Sequence, residues 1–172
     1  MRYNPSAERQ TAADIVNGAT REELEHLLHI YGEEQFAGRV AAAITTVRRT
    51  APFRTVGELV DVIRDAVPAW YRNRRLHHAT KTFQALRIAV NNELDNVQAG
   101  LEASLRVLRP GGRLVVISFQ GSEDKIAREL FKQAVSERAS VRAAVVKHLP
   151  PGLDRLADLP EDLGCRRFFF EA

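Results

Sequence analysis

Apolar positions recur every three to four residues through the first hundred positions, and one stretch near residue 115 breaks that rhythm. Thr20 stands three residues before Glu23, the spacing of a capping box. Leu24, Leu27, Leu28 and Tyr31 then fall at i, i+3, i+4 and i+7, one face of a helix that Gly32 can close. Thr11 with Asp14 repeats the start signal for a shorter helix ended by Gly18. Residues 33–49 predict a third helix with Phe36, Val40, Ile44 and Val47 on its apolar stripe. Thr55 with Glu58 opens a fourth, with Leu59, Ile63 and Val67 facing inward before Pro68. Three threonine-started helices in so short a span describe a helical subdomain, either a recognition module or a small helical packing module. It is preceded by a polar, extended lead-in over 1–10, where Pro5 disfavours helix at Asn4.

A second periodic run begins as a threonine-capped segment at Thr80. Phe83, Leu86, Val90, Leu94, Val97, Leu101, Leu105 and Leu108 keep helical spacing over a length that suits two helices, with a break at Gly100 or within 91–95. Pro110-Gly111-Gly112 ends it. Leu114, Val115, Val116 and Ile117 are then apolar without alternation, which predicts a strand over 113–119 covered on both faces, as in a parallel sheet flanked by helices. Ser122, followed by Glu123 and Asp124, fits the N-cap of a helix carrying Ile126, Leu130 and Phe131. Residues 141–149 read as helix extension or strand, Pro150-Pro151-Gly152 and Pro160 as breaks, and 166–171 as a terminal strand.

Composition changes this picture little. With 172 residues, 45% hydrophobic and 27% charged, the chain is ordinary globular material. A net charge of +3 and a pI near 9.3 permit an RNA partner without requiring one. Cys165 is the single cysteine, so neither a disulfide framework nor a cysteine zinc site is expected. There is neither an apolar run of membrane-spanning length nor a signal-peptide core, and the expected location is cytoplasmic.

Three places carry candidate chemistry. Residues 70–78 interleave Trp70 and Tyr71 with Arg72, Arg74 and Arg75. Arginines neutralise phosphates and aromatic rings stack on unpaired bases, so this stretch suits RNA; a solvated surface loop has the same composition. His77 and His78 lack metal-ligand spacing, and no metal is expected. Arg87 and Asn91 share one helical face, open to a ligand contact or to a surface ion pair. Residues 118–124 follow the candidate strand, and in open α/β sheets ligands sit beyond the carboxyl ends of strands.

Residues 82–88 (TFQALRI), Val90-Asn91, Glu93-Leu94, the PGGRLVVISF segment at 110–119 and Glu123-Asp124 together resemble the MraW family. These are S-adenosylmethionine-dependent enzymes that methylate the exocyclic N4 of a cytidine in small-subunit ribosomal RNA. Met1-Arg2-Tyr3-Asn4-Pro5 with Thr11-Ala12-Ala13, and Tyr31-Gly32-Glu33-Glu34 with Phe36 and Arg39, extend the likeness over residues 1–131. The resemblance implies an α/β fold, a partial class I methyltransferase (Rossmann-like) sheet with a mostly helical insert. Residues 11–78 would be the substrate-recognition insert and 79–172 the C-terminal half of the methyltransferase domain, with 166–171 antiparallel at the sheet edge. Its partner would be small-subunit ribosomal RNA. Substrate contacts are expected at Tyr31, Arg39, Arg87, Asn91 and Gln120, and RNA-backbone contacts at Arg72, Arg74 and Arg75.

The family's glycine-rich cofactor loop and acidic strand ends have no counterpart here, so the expectation is a fragment or one half of an enzyme, inactive alone. It would be completed by an N-terminal half or by a second copy, and no cofactor-binding or catalytic residue can be named. Where the family has SFHSLED, this chain has Gln120 for the histidine, Gly121 for the serine and Ser122 for the leucine. A non-catalytic RNA-binding or ribosome-assembly remnant is the competing reading, and a non-functional truncation product, exposing a sheet edge, is a third.

Overall fold

The computed structural model describes residues 1, 3, 10–109, 113–137, 145–146 and 170–171. It divides into two compact units, Met1–Glu93 and Leu94–Ala172.

The first unit is helical: α1 (Ala12–Gly18), α2 (Arg21–Gly32), α3 (Ala37–Val47), α4 (Val56–Ala66), α5 (Ala69–Arg72) and α6 (Thr80–Asn91). All three capping boxes form. The hydroxyls of Thr11, Thr20 and Thr55 accept from the backbone N–H three residues on, and Asp14, Glu23 and Glu58 accept from the threonine N–H in return. Leu24, Leu28, Val40, Ala41, Ile44, Ile63, Ala85 and Leu86 make a core sealed from solvent. Gly32 is needed for space rather than for backbone angle: a Cβ there would lie 2.6 Å from the Lys81 carbonyl oxygen, where α2 meets α6. The left-handed residue that ends α2 is Glu33, φ 49°.

That turn corrects the third helix, which starts at Ala37 because Glu33 and Glu34 are used to close α2; the Glu34 N–H donates to the Leu28 carbonyl at 3.1 Å. Val47, expected on the apolar stripe, is 41% exposed, and Ala37 and Ala41 take the inner face instead. Thr80 is not a cap. Ala79 is the N-cap residue, and His77 organises the start by accepting from Thr80 N–H (3.0 Å) and, through Nδ1, from Ala79 N–H (3.3 Å). α6 packs on α2 and so lies within the first unit, and the contact boundary falls between Glu93 and Leu94.

The long amphipathic run splits at Asn92, whose φ of 50° places it in the left-handed region. Gly100 lies inside α7 (Glu93–Val107), in open space. The second unit continues with β1 (Arg113–Leu114), β2 (Val116–Ile117), α8 (Gly121–Glu137), β3 (Val145–Val146) and β4 (Phe170–Glu171). β1 pairs antiparallel with β4, Arg113 opposite Glu171, and β2 pairs parallel with β3, Val116 opposite Val145. The expected single strand covered on both faces is corrected to two short strands with one covered face. Leu114, Val116 and Ser118 turn inward, where Leu114 and Val116 pack with Leu101, Ala127 and Phe131. Val115 and Ile117 are 42% and 43% exposed. Four successive apolar residues match a doubly covered strand, yet the helices packed against this one lie on its inner face.

The start of α8 is also corrected. The helix begins at Gly121, so Ser122 lies within its first turn, and the Glu123 carboxylate accepts from the Phe119 N–H at 3.4 Å. Of 141–149, Val145–Val146 is strand; the expected breaks at 150–152 and 160 lie outside the described residues, as does 166–169 of the expected terminal strand.

Candidate functional site

Residues 70–78 are largely exposed, but Tyr71 and His78 are buried and anchor the stretch. Pro68 is the N-cap residue of α5, which turns Tyr71 inward, fully buried, where its hydroxyl donates to both carboxylate oxygens of Glu34 at 2.6 and 2.7 Å. Glu34, itself 1% exposed, also accepts from the Phe36 N–H at 3.0 Å, so its buried charge is met by two donors. Burial, reinforced by the Glu34 carboxylate, raises the Tyr71 phenol above its ordinary value and keeps it a donor. The Arg74 guanidinium lies 3.3 Å from the centroid of the Tyr71 ring, with Nε and Nη2 buried and without a hydrogen-bond partner.

The three arginines of this stretch therefore do different things. Arg72 Nε donates to the Val67 carbonyl at 3.1 Å, closing the end of α4, and lies close enough to Asp65 to lower that carboxylate together with Arg64, the larger influence. Arg74 covers Tyr71. Arg75 is exposed. Trp70 is 63% exposed and makes edge contacts with Phe36 (5.8 Å) and Tyr71 (5.7 Å), while Arg39 reaches over Phe36 at 5.9 Å. Tyr31 is half-buried and packs on the core rather than standing on this surface. His77 and His78 stack at 4.1 Å; burial lowers the His78 pKa, with His77 adding to the effect, and its Nε2 has no partner.

The structure gathers Arg87 and Asn91 into a separate cluster. Arg87 forms a two-pronged ion pair with Glu93, both bonds 2.9 Å, and Tyr3 Oη donates to the same carboxylate at 3.0 Å. Asn91 accepts from the Tyr3 N–H at 2.9 Å and donates to the carbonyls of Met1 (3.0 Å) and Arg87 (2.8 Å). This arrangement holds the start of the described chain against α6.

Gln120 belongs to the second unit, where Ser118 and Gln120 follow β2. Ser118 Oγ and Gln120 Oε1 are both buried without a hydrogen-bond partner. Asp124 is 5% exposed and pairs with Arg128 at 2.6 Å, one turn further along α8. An unpaired buried acceptor costs about 1–3 kcal/mol, so two at the end of one strand suit a ligand bearing N–H or O–H groups. Sequence reasoning missed Glu34, Glu93 and Ser118. Glu34 carried a signal in standing beside a glycine-ended helix, whereas the partners of Glu93 come from distant positions. Among the described residues, no group of three histidine, cysteine or acidic side chains could hold a metal ion, and no helix is long and apolar enough to cross a membrane.

Comparison with known proteins follows these features along the chain. The model of the MraW methylase family matches residues 1–154. A ribosomal RNA small subunit methyltransferase H from Syntrophotalea carbinolica is 45% identical over 153 residues, 89% of this chain and 46% of the relative. The protein of the same name from Lactobacillus acidophilus is 47% identical over 133 residues, 77% and 42% of the two chains. That from Mycolicibacterium smegmatis is 45% identical over 153 residues, 89% and 38%. The chain thus spans less than half the length of these curated relatives.

Proposed function

The chain belongs to the MraW methylase family, and from that premise we propose that it carries the RNA-recognising and strand-end portions of a methyltransferase acting on the exocyclic N4 of a cytidine in small-subunit ribosomal RNA. The observation that carries the reading is the 45% identity over 153 residues to a small-subunit ribosomal RNA methyltransferase. Residues 11–78 are the substrate-recognition insert in this reading, and 79–172 the late half of a Rossmann-like sheet. The parallel pairing of β2 with β3 across α8 supports the second assignment, because parallel neighbours need such a helical crossover.

S-adenosylmethionine is the methyl donor this family membership implies. Of the described glycines, Gly18, Gly32, Gly38, Gly57 and Gly100 lie within helices of the all-helical stretch or of α7, and Gly121 alone opens a helix after a strand, a single glycine where a donor-cradling loop uses several. The described residues do not fit the donor, whose site we assign to the part of the relatives' length that this chain does not span. What this chain supplies is the target side. Gln120 Oε1, a buried acceptor, would take a hydrogen bond from the cytosine amine, turning its lone pair out of conjugation with the ring. Arg39 and Arg75 would hold phosphates; Arg72 and Arg74 act behind them, and Arg87 and Asn91 hold Glu93 and the chain start.

The test is a chimera in which residues 1–153 replace the matching segment of the Syntrophotalea carbinolica relative. We expect N4-methylcytidine in small-subunit ribosomal RNA, read by nucleoside mass spectrometry. A folded chimera that binds the RNA and the donor but methylates nothing would refute the enzymatic reading and favour a non-catalytic RNA-binding remnant, whereas methylation of another base would refute the cytidine-N4 assignment.

A further inference from the structure

We infer that Trp70 is a stacking platform for an unpaired RNA base, with Arg39 and Arg75 holding the adjoining phosphates; this rests on the RNA reading above and names the nucleotide conformation the helical unit selects. Trp70 is the only tryptophan in the chain, and it stands 63% exposed on the one-turn helix α5, which is anchored by the buried Tyr71. Its ring is held without being covered. Phe36 meets it at an interplanar angle of 63° and Tyr71 at 80°, both edge contacts, so the indole is pre-set and loses little freedom when a base arrives. Tyr71 cannot share the role, because Arg74 lies on its face and Glu34 takes its hydroxyl.

Charge sets the class of ligand. Arg39 overlies Phe36, the same ring that touches Trp70, and Arg75, the residue after Arg74 in sequence, is exposed. Glu34, the carboxylate beneath, is fully engaged by Tyr71 and Phe36 and turned away from solvent. A rigid aromatic surface with an exposed arginine packed on its neighbouring ring and another five positions along the chain suits a nucleotide whose base is unstacked and whose phosphates run past it. In a duplex the bases are already stacked on one another, so their faces are closed to the indole.

The single tryptophan makes the test direct. The full chain is titrated with a dye-labelled single-stranded RNA oligonucleotide, its duplex, and inorganic polyphosphate, following tryptophan emission and dye anisotropy together. Quenching by the single strand alone is expected. Trp70→Ala should weaken single-strand binding roughly 5- to 150-fold and Trp70→Phe much less, while R39A/R75A should lower the slope of log affinity against log salt by roughly 1.4, two contacts at about 0.7 each. Equal quenching by all three ligands would overturn the platform in favour of a simple charged surface. Binding seen by anisotropy without quenching would also overturn it while leaving RNA recognition standing. Absence of RNA binding would overturn both. Circular dichroism of each variant separates lost binding from lost fold, and the double arginine variant tests the phosphate contacts with Trp70 intact.

Discussion

Removing one oxygen from Tyr71 tests whether the buried Glu34 carboxylate is balanced as the geometry implies. Tyr71→Phe keeps the ring that Arg74 covers and that Phe36 and Trp70 touch, so no cavity opens. What disappears is the donor 2.6 and 2.7 Å from the two carboxylate oxygens, leaving Glu34, 1% exposed, with the Phe36 N–H alone. A hydrogen bond to a charged group is worth about 1.5–3 kcal/mol, and stranding a buried charge adds to that, so the expected loss is about 3 kcal/mol. For a unit of this size that corresponds to a fall in Tm of at least about 12 °C. Urea unfolding followed by Trp70 emission reads the unit that contains the pair. Removing both polar partners is far milder than removing one, so Tyr71→Phe combined with Glu34→Leu should be more stable than Tyr71→Phe alone. A Tyr71→Phe loss under about 0.5 kcal/mol, or a double variant less stable than the single, would refute the reasoning.

The remaining predictions use the same unfolding measurement, or circular dichroism for the second unit. Gly32→Ala should cost about 1–3 kcal/mol, because its Cβ would meet the Lys81 carbonyl oxygen at 2.6 Å; Gly100→Ala, in open space inside α7, should stabilise by up to about 1 kcal/mol. Thr20→Ala and Thr55→Ala should each cost about 1 kcal/mol as lost N-caps. Hydrogen bonds from the Thr20 backbone and side chain lower Glu23, and the backbone N–H groups of Arg54 and Thr55 lower Glu58. Their contribution is therefore complete above 4.5, the ordinary value, and is lost as pH falls through the depressed folded values, more shallowly in the Thr→Ala variants. Burial lowers His78, so the folded state resists its protonation. Stability should be unpenalised above 6.5 and fall as pH drops from there toward the folded value, a decline that His78→Gln should remove. A flat profile between pH 7 and 5 in the parent chain would contradict that burial.

Much of this protein could be read before any coordinates. The capping boxes of α1, α2 and α4 were legible because they close within four residues, and the inward faces of α2 and α4 because burial repeats with the helical period. The quoted motifs also identified the family, since they are local strings in order. The expected site was legible only in composition. Nothing local says that among Trp70, Tyr71 and their arginines one ring stands out while the other is buried under Arg74. That is decided by Glu34, 37 positions away, which needs a donor once the turn after α2 buries it. Likewise four apolar residues after Pro110 were consistent with cover on both faces, and only the packing of α7 and α8 determines that Leu114 and Val116 turn inward while Val115 and Ile117 do not. The chain by itself determined where helices begin and which face each would bury, because those depend on neighbours within a turn. Which polar groups are paired, which arginines face solvent and which aromatic ring is exposed depend on contacts between distant segments, and only the tertiary structure decided them.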